Sequence, residues 1–211
     1  MSYDQIATGR VDSLSLNGSA VSRIRFGPQG PEGDSHCGFS RKLSGHDSDY
    51  IRTSNLKKKE DEVFNWRSWT AISQEEMSSV SQDLEVVIPQ GCLLENMVVT
   101  GIPNFSKLPP TSRLVFPKHD QSELFDQHAV GQAILAVWEE NSPCRHVGER
   151  LEKHYGEDGL MARFVAAAQG KRGVMGFVLS AGLVKVGDPI EVYPPMGGVN
   201  VLAEWNELVP T

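Results

Sequence analysis

Apolar positions in this chain fall into short groups separated by polar and glycine-rich stretches. From Gly9 to Phe26, the residues Val11, Leu14, Leu16, Val21, Ile24 and Phe26 flank Asn17-Gly18, which predicts two short strands joined by a tight turn. Further strands are predicted over Trp66 to Ile72, Leu84 to Ile88, Met97 to Val99, Arg113 to Phe116, Gly131 to Trp138, Gly173 to Leu179, Leu183 to Val186 and Ile190 to Tyr193. Ser73-Gln74-Glu75-Glu76 has the spacing of a capping box and starts a short helix to about Ser81. After Cys144, Val147, Leu151 and His154 share a helical face that Gly156 ends. Asp158 stands where it would cap a second helix through about Gln169, with Leu160, Met161, Phe164, Val165 and Ala168 on its buried side.

Two stretches lack this periodicity. Gly27 to Gly38 concentrates glycine and proline, so unusual backbone conformations are expected there. Ser40 to Asn65 is polar and contains the block Lys57-Lys58-Lys59-Glu60-Asp61-Glu62. It reads as a mobile surface insertion, with a substrate lid as the alternative. A polar loop with His119 and His128 separates two of the strands. Many strands, helices in two places and no regular βαβ alternation predict a mainly β fold with a few helices, a closed or partly closed barrel. One domain is expected over residues 1–195, with the insertion at about 40–65 and a tail over 196–211.

Composition narrows the function classes. The 211 residues, 39% hydrophobic, suit one substantial core, and 20 Gly with 12 Pro raise the turn content. No apolar run approaches the roughly 20 residues needed to span a bilayer. Asp4 and Asp12 around the weakly apolar Ile6 and Ala7 leave no secretory h-region, so the cytoplasm is the expected compartment. A formal charge of −7 argues against nucleic acid and anionic lipid as partners, while a local basic pocket for a phosphorylated ligand stays open. No Walker A loop or GxGxxG follows a strand.

Cys37, Cys92 and Cys144 stand too far apart for a zinc pattern or a disulfide framework, so reduced thiols are expected. Cys144 follows Pro143 and precedes Arg145 and His146, cations that favour a thiolate fit for nucleophilic or soft-metal chemistry. On residues alone, a buried structural cysteine is the commoner outcome. Gly33-Asp34-Ser35-His36-Cys37-Gly38 brings a carboxylate, an imidazole and a thiol between glycines, although a local turn accounts for it equally. Glu95-Asn96 suits either a turn or a ligand, and Lys171-Arg172-Gly173 either an anion or a solvated strand start.

The order of these pieces is more telling. Gly33-Asp34-Ser35-His36, Arg67-Ser68-Trp69-Thr70, Pro89-Gln90-Gly91 with Glu95-Asn96, Ser142-Pro143-Cys144, Arg172-Gly173-Val174-Met175-Gly176 and Val186-Gly187-Asp188-Pro189-Ile190 follow one another over residues 9–194. In this the chain resembles the MOSC family, the molybdenum cofactor sulfurase C-terminal fold. Leu94 stands where the family pattern has glycine, and Gln90 is inserted in the Pro-Gly turn.

The resemblance implies a β-barrel and the molybdenum cofactor, a pterin with a dithiolene-held metal and an anionic phosphate. It implies Cys144 as the protein ligand to molybdenum in a reductase of N-hydroxylated compounds, with a small-molecule substrate and a separate electron donor. Asp34 and His36 would face the metal or deliver protons. Arg67, Arg145, Lys171 and Arg172 would hold the pterin phosphate or tail, with Glu95 and Asn96 also at the cofactor. The rival readings are a sulfur carrier with a persulfide on Cys144, loaded by a sulfur donor protein, and a non-catalytic cofactor-binding module.

Overall fold

The computed structural model describes residues 4–44, 47–119 and 131–195. Its strands are β1 (Ala7–Leu16), β2 (Ser19–Val21), β3 (Arg23–Gly27), β4 (Gly30–Pro31), β5 (Ser40–Lys42), β6 (Glu62–Phe64), β7 (Trp69–Ser73), β8 (Met97–Thr100), β9 (Arg113–Val115), β10 (Ile134–Glu140), β11 (Val174–Ser180), β12 (Gly182–Lys185) and β13 (Pro189–Tyr193). The α-helices are α1 (Ser48–Thr53), α2 (Gln74–Leu84), α3 (Arg145–Tyr155) and α4 (Leu160–Ala167), and Phe105–Lys107 forms a 3₁₀ turn.

Strands β13-β9-β10-β11-β7-β8-β1 are hydrogen-bonded in that order, with β2 beyond β1, and pairing of β13 with β1 closes the ring. A barrel of this kind removes the exposed sheet edges that a short open sheet would carry. Neighbouring strands run antiparallel except β7 and β8, which are parallel and need α2 as their crossover. A small sheet of β12-β3-β4 lies beside the ring.

Strand alternation divides the apolar residues between two cores. Val11, Trp69, Ala71, Met97, Val99, Leu114, Leu135, Val137 and Val192 fill the barrel. Ile72 and Val98, one position out of phase, pack instead against Met77, Val80 and Leu84 of α2, Val147 and Leu151 of α3, and Leu160 and Phe164 of α4. Gly173 makes the barrel wall possible beside this second core: its φ is +81°, and a Cβ there would lie 1.9 Å from the Ala71 carbonyl oxygen.

Three expectations are corrected. Leu84 to Ile88 is not a strand, because the stripe Met77, Val80, Leu84 continues the helical spacing and Leu84 is the last residue of α2. Asp158 does not cap α4; Gly159 occupies the N-cap position, and Glu152 of α3 accepts from the Met161 amide at 3.0 Å instead. The 40–65 segment, read as a mobile insertion, carries the β5–β6 pair and α1 and buries Leu43 and Asp47. Ser73 caps α2 as its spacing predicts, accepting from the Glu76 amide at 3.1 Å. His128 and the 196–211 tail lie outside the described residues. Among the described residues, no helix is long and apolar enough to cross a membrane.

Candidate functional site

The Gly33 to Gly38 loop is organised by one carboxylate. Asp34 Oδ2 accepts from the Asn17 amide and from Asn96 Nδ2, each at 2.9 Å. Its Oδ1 accepts from the His36 amide at 2.9 Å and meets His36 Nδ1 at 2.8 Å. Burial pushes the Asp34 pKa up, but the side-chain and backbone hydrogen bonds from His36 and the Asn17 amide outweigh it and hold the pKa at about 2. Asp34 is therefore an acceptor at neutral pH, so His36 Nδ1 is the donor of the hydrogen bond between them. Asn17, in the tight turn after β1, and Asn65, after β6, clamp this loop from both sides: Asn17 binds Gly33 and Ser35, and Asn65 Nδ2 donates to the His36 and Gly38 carbonyls.

Beside the loop is a cavity of about 410 Å³ whose described lining includes His36, Cys37, Arg41, Lys42, Asn65, Arg67, Thr70, Asn141 and Met175. Thr70 and Met175 are register partners on β7 and β11, and β5 of the insertion supplies the opposite wall. Arg41 grips the buried Asp47 with two bonds of 2.9 and 2.6 Å and stacks 4.7 Å from the Trp66 ring centroid. Burial opposes ionisation of Asp47, yet Arg41, Ser44 and Arg67 hold its pKa well below the usual carboxylate range. Arg67 also donates to Glu139 at 3.1 and 2.8 Å. Three cations, Arg41, Lys42 and Arg67, line this cavity, and the two arginines pair with Asp47 and Glu139.

Cys144 is elsewhere. It is the N-cap residue of α3, with no side-chain cap hydrogen bond, and packs half-buried against the helix-side core. That position lies three residues beyond Asn141 and outside the described lining of the cavity. Its charged neighbour is Arg172, 4% exposed, which lies within electrostatic reach of Glu95, Cys144 and Cys92. One guanidinium nitrogen of Arg172 donates to the Leu93 carbonyl, while Nη1 has no hydrogen-bond partner among the described residues. Glu95 accepts from the Gly91 amide through Oε1, and its Oε2 is likewise buried without a partner. Burial pushes the Glu95 carboxyl pKa up.

The residues singled out from sequence thus separate into groups. His36, Asp34, Asn96 and Arg67 surround the cavity or brace its wall. Cys144, half-buried, and the buried Arg172 and Glu95 form a second cluster outside the described lining of that cavity. Lys171 sits apart from both, donating to Ser79 and Asp83 at 3.0 and 2.9 Å, and Arg145 is exposed on the first turn of α3. Asn96 serves chiefly as a brace: beyond Asp34, its side chain accepts from the Thr70 amide at 3.0 Å and its backbone pairs with Thr70 and Ser15. Leu94 has φ +58°, the left-handed conformation suited to the glycine of the family pattern, so the turn into Glu95 is kept without glycine. Arg41, Asp47, Asn65, Asn141 and Cys92 were not singled out. Only the polar side chains of the insertion hinted at the first three, and no local pattern marks the others.

Comparison with known proteins agrees with this architecture. A family model described as the MOSC domain matches residues 62–191. YuaD of Bacillus subtilis (strain 168), described under metal-sulfur cluster biosynthesis, is 29% identical over 185 residues, covering 86% of this chain and 85% of its own. A crystal structure of the Bacillus subtilis YuaD protein superposes with a TM-score of 0.76 at 26% identity, over 92% of this chain and 99% of the other. YiiM from Escherichia coli shares the fold at a TM-score of 0.54 and 16% identity, over 92% of this chain and 73% of its own.

Proposed function

This chain belongs to the MOSC domain family, and on that premise we propose that it handles sulfur, carrying it as a persulfide on Cys144 for transfer to a metal centre or cofactor. One observation carries this reading: the Cys144 thiol opens a helix beside a buried guanidinium whose Nη1 lacks a partner among the described residues. A persulfide anion needs a hydrogen-bond donor, and both Arg172 Nη1 and the positive end of α3 offer one. Cys144 is half-buried rather than sealed, so a donor protein can reach it. The description of YuaD under metal-sulfur cluster biosynthesis points to the same chemistry.

The test is intact-mass measurement after exposure to inorganic polysulfide. The wild type gains about 32 Da on Cys144 and Cys144→Ser does not. Equal gain in both, or none in either, overturns the reading.

A second reading, reduction of N-hydroxylated compounds at molybdenum, has its own support in the cavity. The anionic phosphate of a pterin cofactor fits beside Arg41, Lys42 and Arg67. The metal end does not fit as expected, because Cys144 is not among the described lining residues of that cavity, so no step through the metal is derived. Elemental analysis of protein purified from a host making the cofactor decides this reading: near-stoichiometric molybdenum that is lost in Cys144→Ser favours it over sulfur carriage.

A further inference from the structure

Away from the candidate cavity, the turn Pro89 to Cys92 and the C-terminal half of α3 enclose a groove of about 630 Å³, with Arg150, Lys153 and His154 in its lining. Its floor is held in place. Gln90 Nε2 donates to the Leu14 carbonyl at 3.2 Å, and Gly91, φ +77°, packs so closely on the β1–β2 turn that a Cβ would lie 2.3 Å from the Gly18 carbonyl oxygen. Arg150 is fixed across this floor, donating from Nε to the Cys92 carbonyl at 3.2 Å. Lys153 and His154 follow at helical spacings of three and four, so the three basic side chains share one wall.

The charge of that wall is uncompensated. Among the described residues, no carboxylate lines the groove, and neither Arg150 nor Lys153 pairs with one. Nearby acids are directed elsewhere: Glu152 accepts from the Met161 amide of α4, and Glu95 is buried behind the turn, accepting from the Gly91 amide. Beside the basic wall stands an apolar edge. Tyr155 donates its hydroxyl to the Val87 carbonyl, its ring meets His154 edge-on with centroids 4.8 Å apart, and Val87 is 75% exposed.

We propose that this groove is a docking surface for an acidic segment of a partner protein, whose carboxylates meet Arg150, Lys153 and His154 while an apolar side chain rests on Val87 and Tyr155. On a chain of net charge −7 the basic wall is a local island of opposite sign, which orients an approaching acidic partner. Arg and Tyr beside an exposed aliphatic side chain form the mixed surface on which protein partners bind. A long nucleic acid suits it less, because phosphates beyond the groove meet the negative remainder of the surface. One small anion spans only part of the wall, whose residues stand about 5–6 Å apart at their Cβ atoms, and leaves the apolar edge empty. Docking here does not depend on sulfur carriage, since Cys144 lies outside the groove's described lining.

The test titrates a fluorescein-labelled Glu-Glu-Phe-Glu-Glu peptide with the full chain at about 50 mM salt and follows anisotropy. Wild type binds saturably, and Arg150→Glu with Lys153→Glu binds roughly tenfold more weakly or worse. Arg150→Gln with Lys153→Gln, which removes the charges without reversing them, loses roughly threefold. Lys57→Glu with Lys58→Glu makes the same net-charge change in the insertion, outside the groove, and stays within about twofold of wild type. Bound peptide also slows alkylation of the lining thiol Cys92 by iodoacetamide, read by peptide mapping, while Cys37 reacts as before. Absence of saturable binding to wild type, equal weakening in both glutamate pairs, or no slowing at Cys92 overturns the docking surface. Equal or tighter binding of inorganic phosphate, or of a short single-stranded RNA of the same charge, overturns it as well.

Discussion

Asn96 Nδ2 donates to Asp34 Oδ2 at 2.9 Å across 62 positions of sequence, tying the Gly33 to Gly38 loop to the edge of β8. The bond places an anion and its imidazole partner at the cavity wall, because Asp34 in turn holds His36.

Acid should undo this arrangement in a defined window. The folded pKa of Asp34 is about 2, below its model-compound value of 3.8. A depressed carboxylate pKa adds stability above the unfolded value and loses it as pH falls through the folded one. The contribution, on the order of 2 kcal/mol, should therefore fade between about pH 4 and pH 2. Thermal unfolding of wild type and Asp34→Asn across that range should show the gap between them closing on the acid side. A gap that stays constant down to pH 2 would contradict it.

Asn96→Ala removes both donor and acceptor groups from a buried position, leaving the Thr70 amide and one face of Asp34 without these bonds. Unmet buried polar groups cost about 1–3 kcal/mol each, so urea unfolding should report a loss of roughly 2–4 kcal/mol. A loss below about 1 kcal/mol would mean that water replaces the brace.

Two glycines with similar backbone angles should respond very differently to alanine. At Gly173 the new Cβ would meet the Ala71 carbonyl oxygen at 1.9 Å, whereas at Gly187, φ +90°, nothing lies within 4 Å. Gly187→Ala should cost only about 1 kcal/mol of backbone strain. Gly173→Ala must push β11 away from β7 and should abolish soluble folding or cost more than about 4 kcal/mol. Comparing their melting temperatures or soluble yields tests the barrel contact directly.

Within the insertion, Arg41→Ala leaves the buried Asp47 without its bidentate partner. Breaking a buried pair from one side costs about 3–5 kcal/mol, more than a peripheral hairpin contributes, so β5, β6 and α1 should open locally. Hydrogen exchange should rise over residues 40–65 while the barrel strands keep their protection. Unchanged exchange there would show that Leu43 and the β5–β6 pairing suffice.

Much of the barrel was readable because its strands alternate. Met97 and Val99, and Leu135 and Val137, announce one buried face each by a period of two, whereas Val11 and Leu14 share theirs only through the register shift between Val11 and Ser13. Helix signals were readable where a side chain acts locally: Ser73 caps α2 and Gly156 takes the left-handed C-cap of α3. The reading failed where a distant group replaced the local one, as Glu152 does at the start of α4. It also failed where apolar spacing fitted two periods, as at Leu84.

The sequence by itself therefore determined the class of fold, most of the barrel strands and the family, since these rest on periodicity and on ordered short motifs. Only the tertiary structure decided which chemistry-bearing residues meet. Asp34 finds Asn96 and His36 finds Asn65 through ring closure and loop clamping, and Cys144 meets Arg172 on the helix side, apart from the cavity that holds Arg67. Such partners are set by packing between segments far apart in the chain, and no local preference of a residue encodes its neighbour across the barrel.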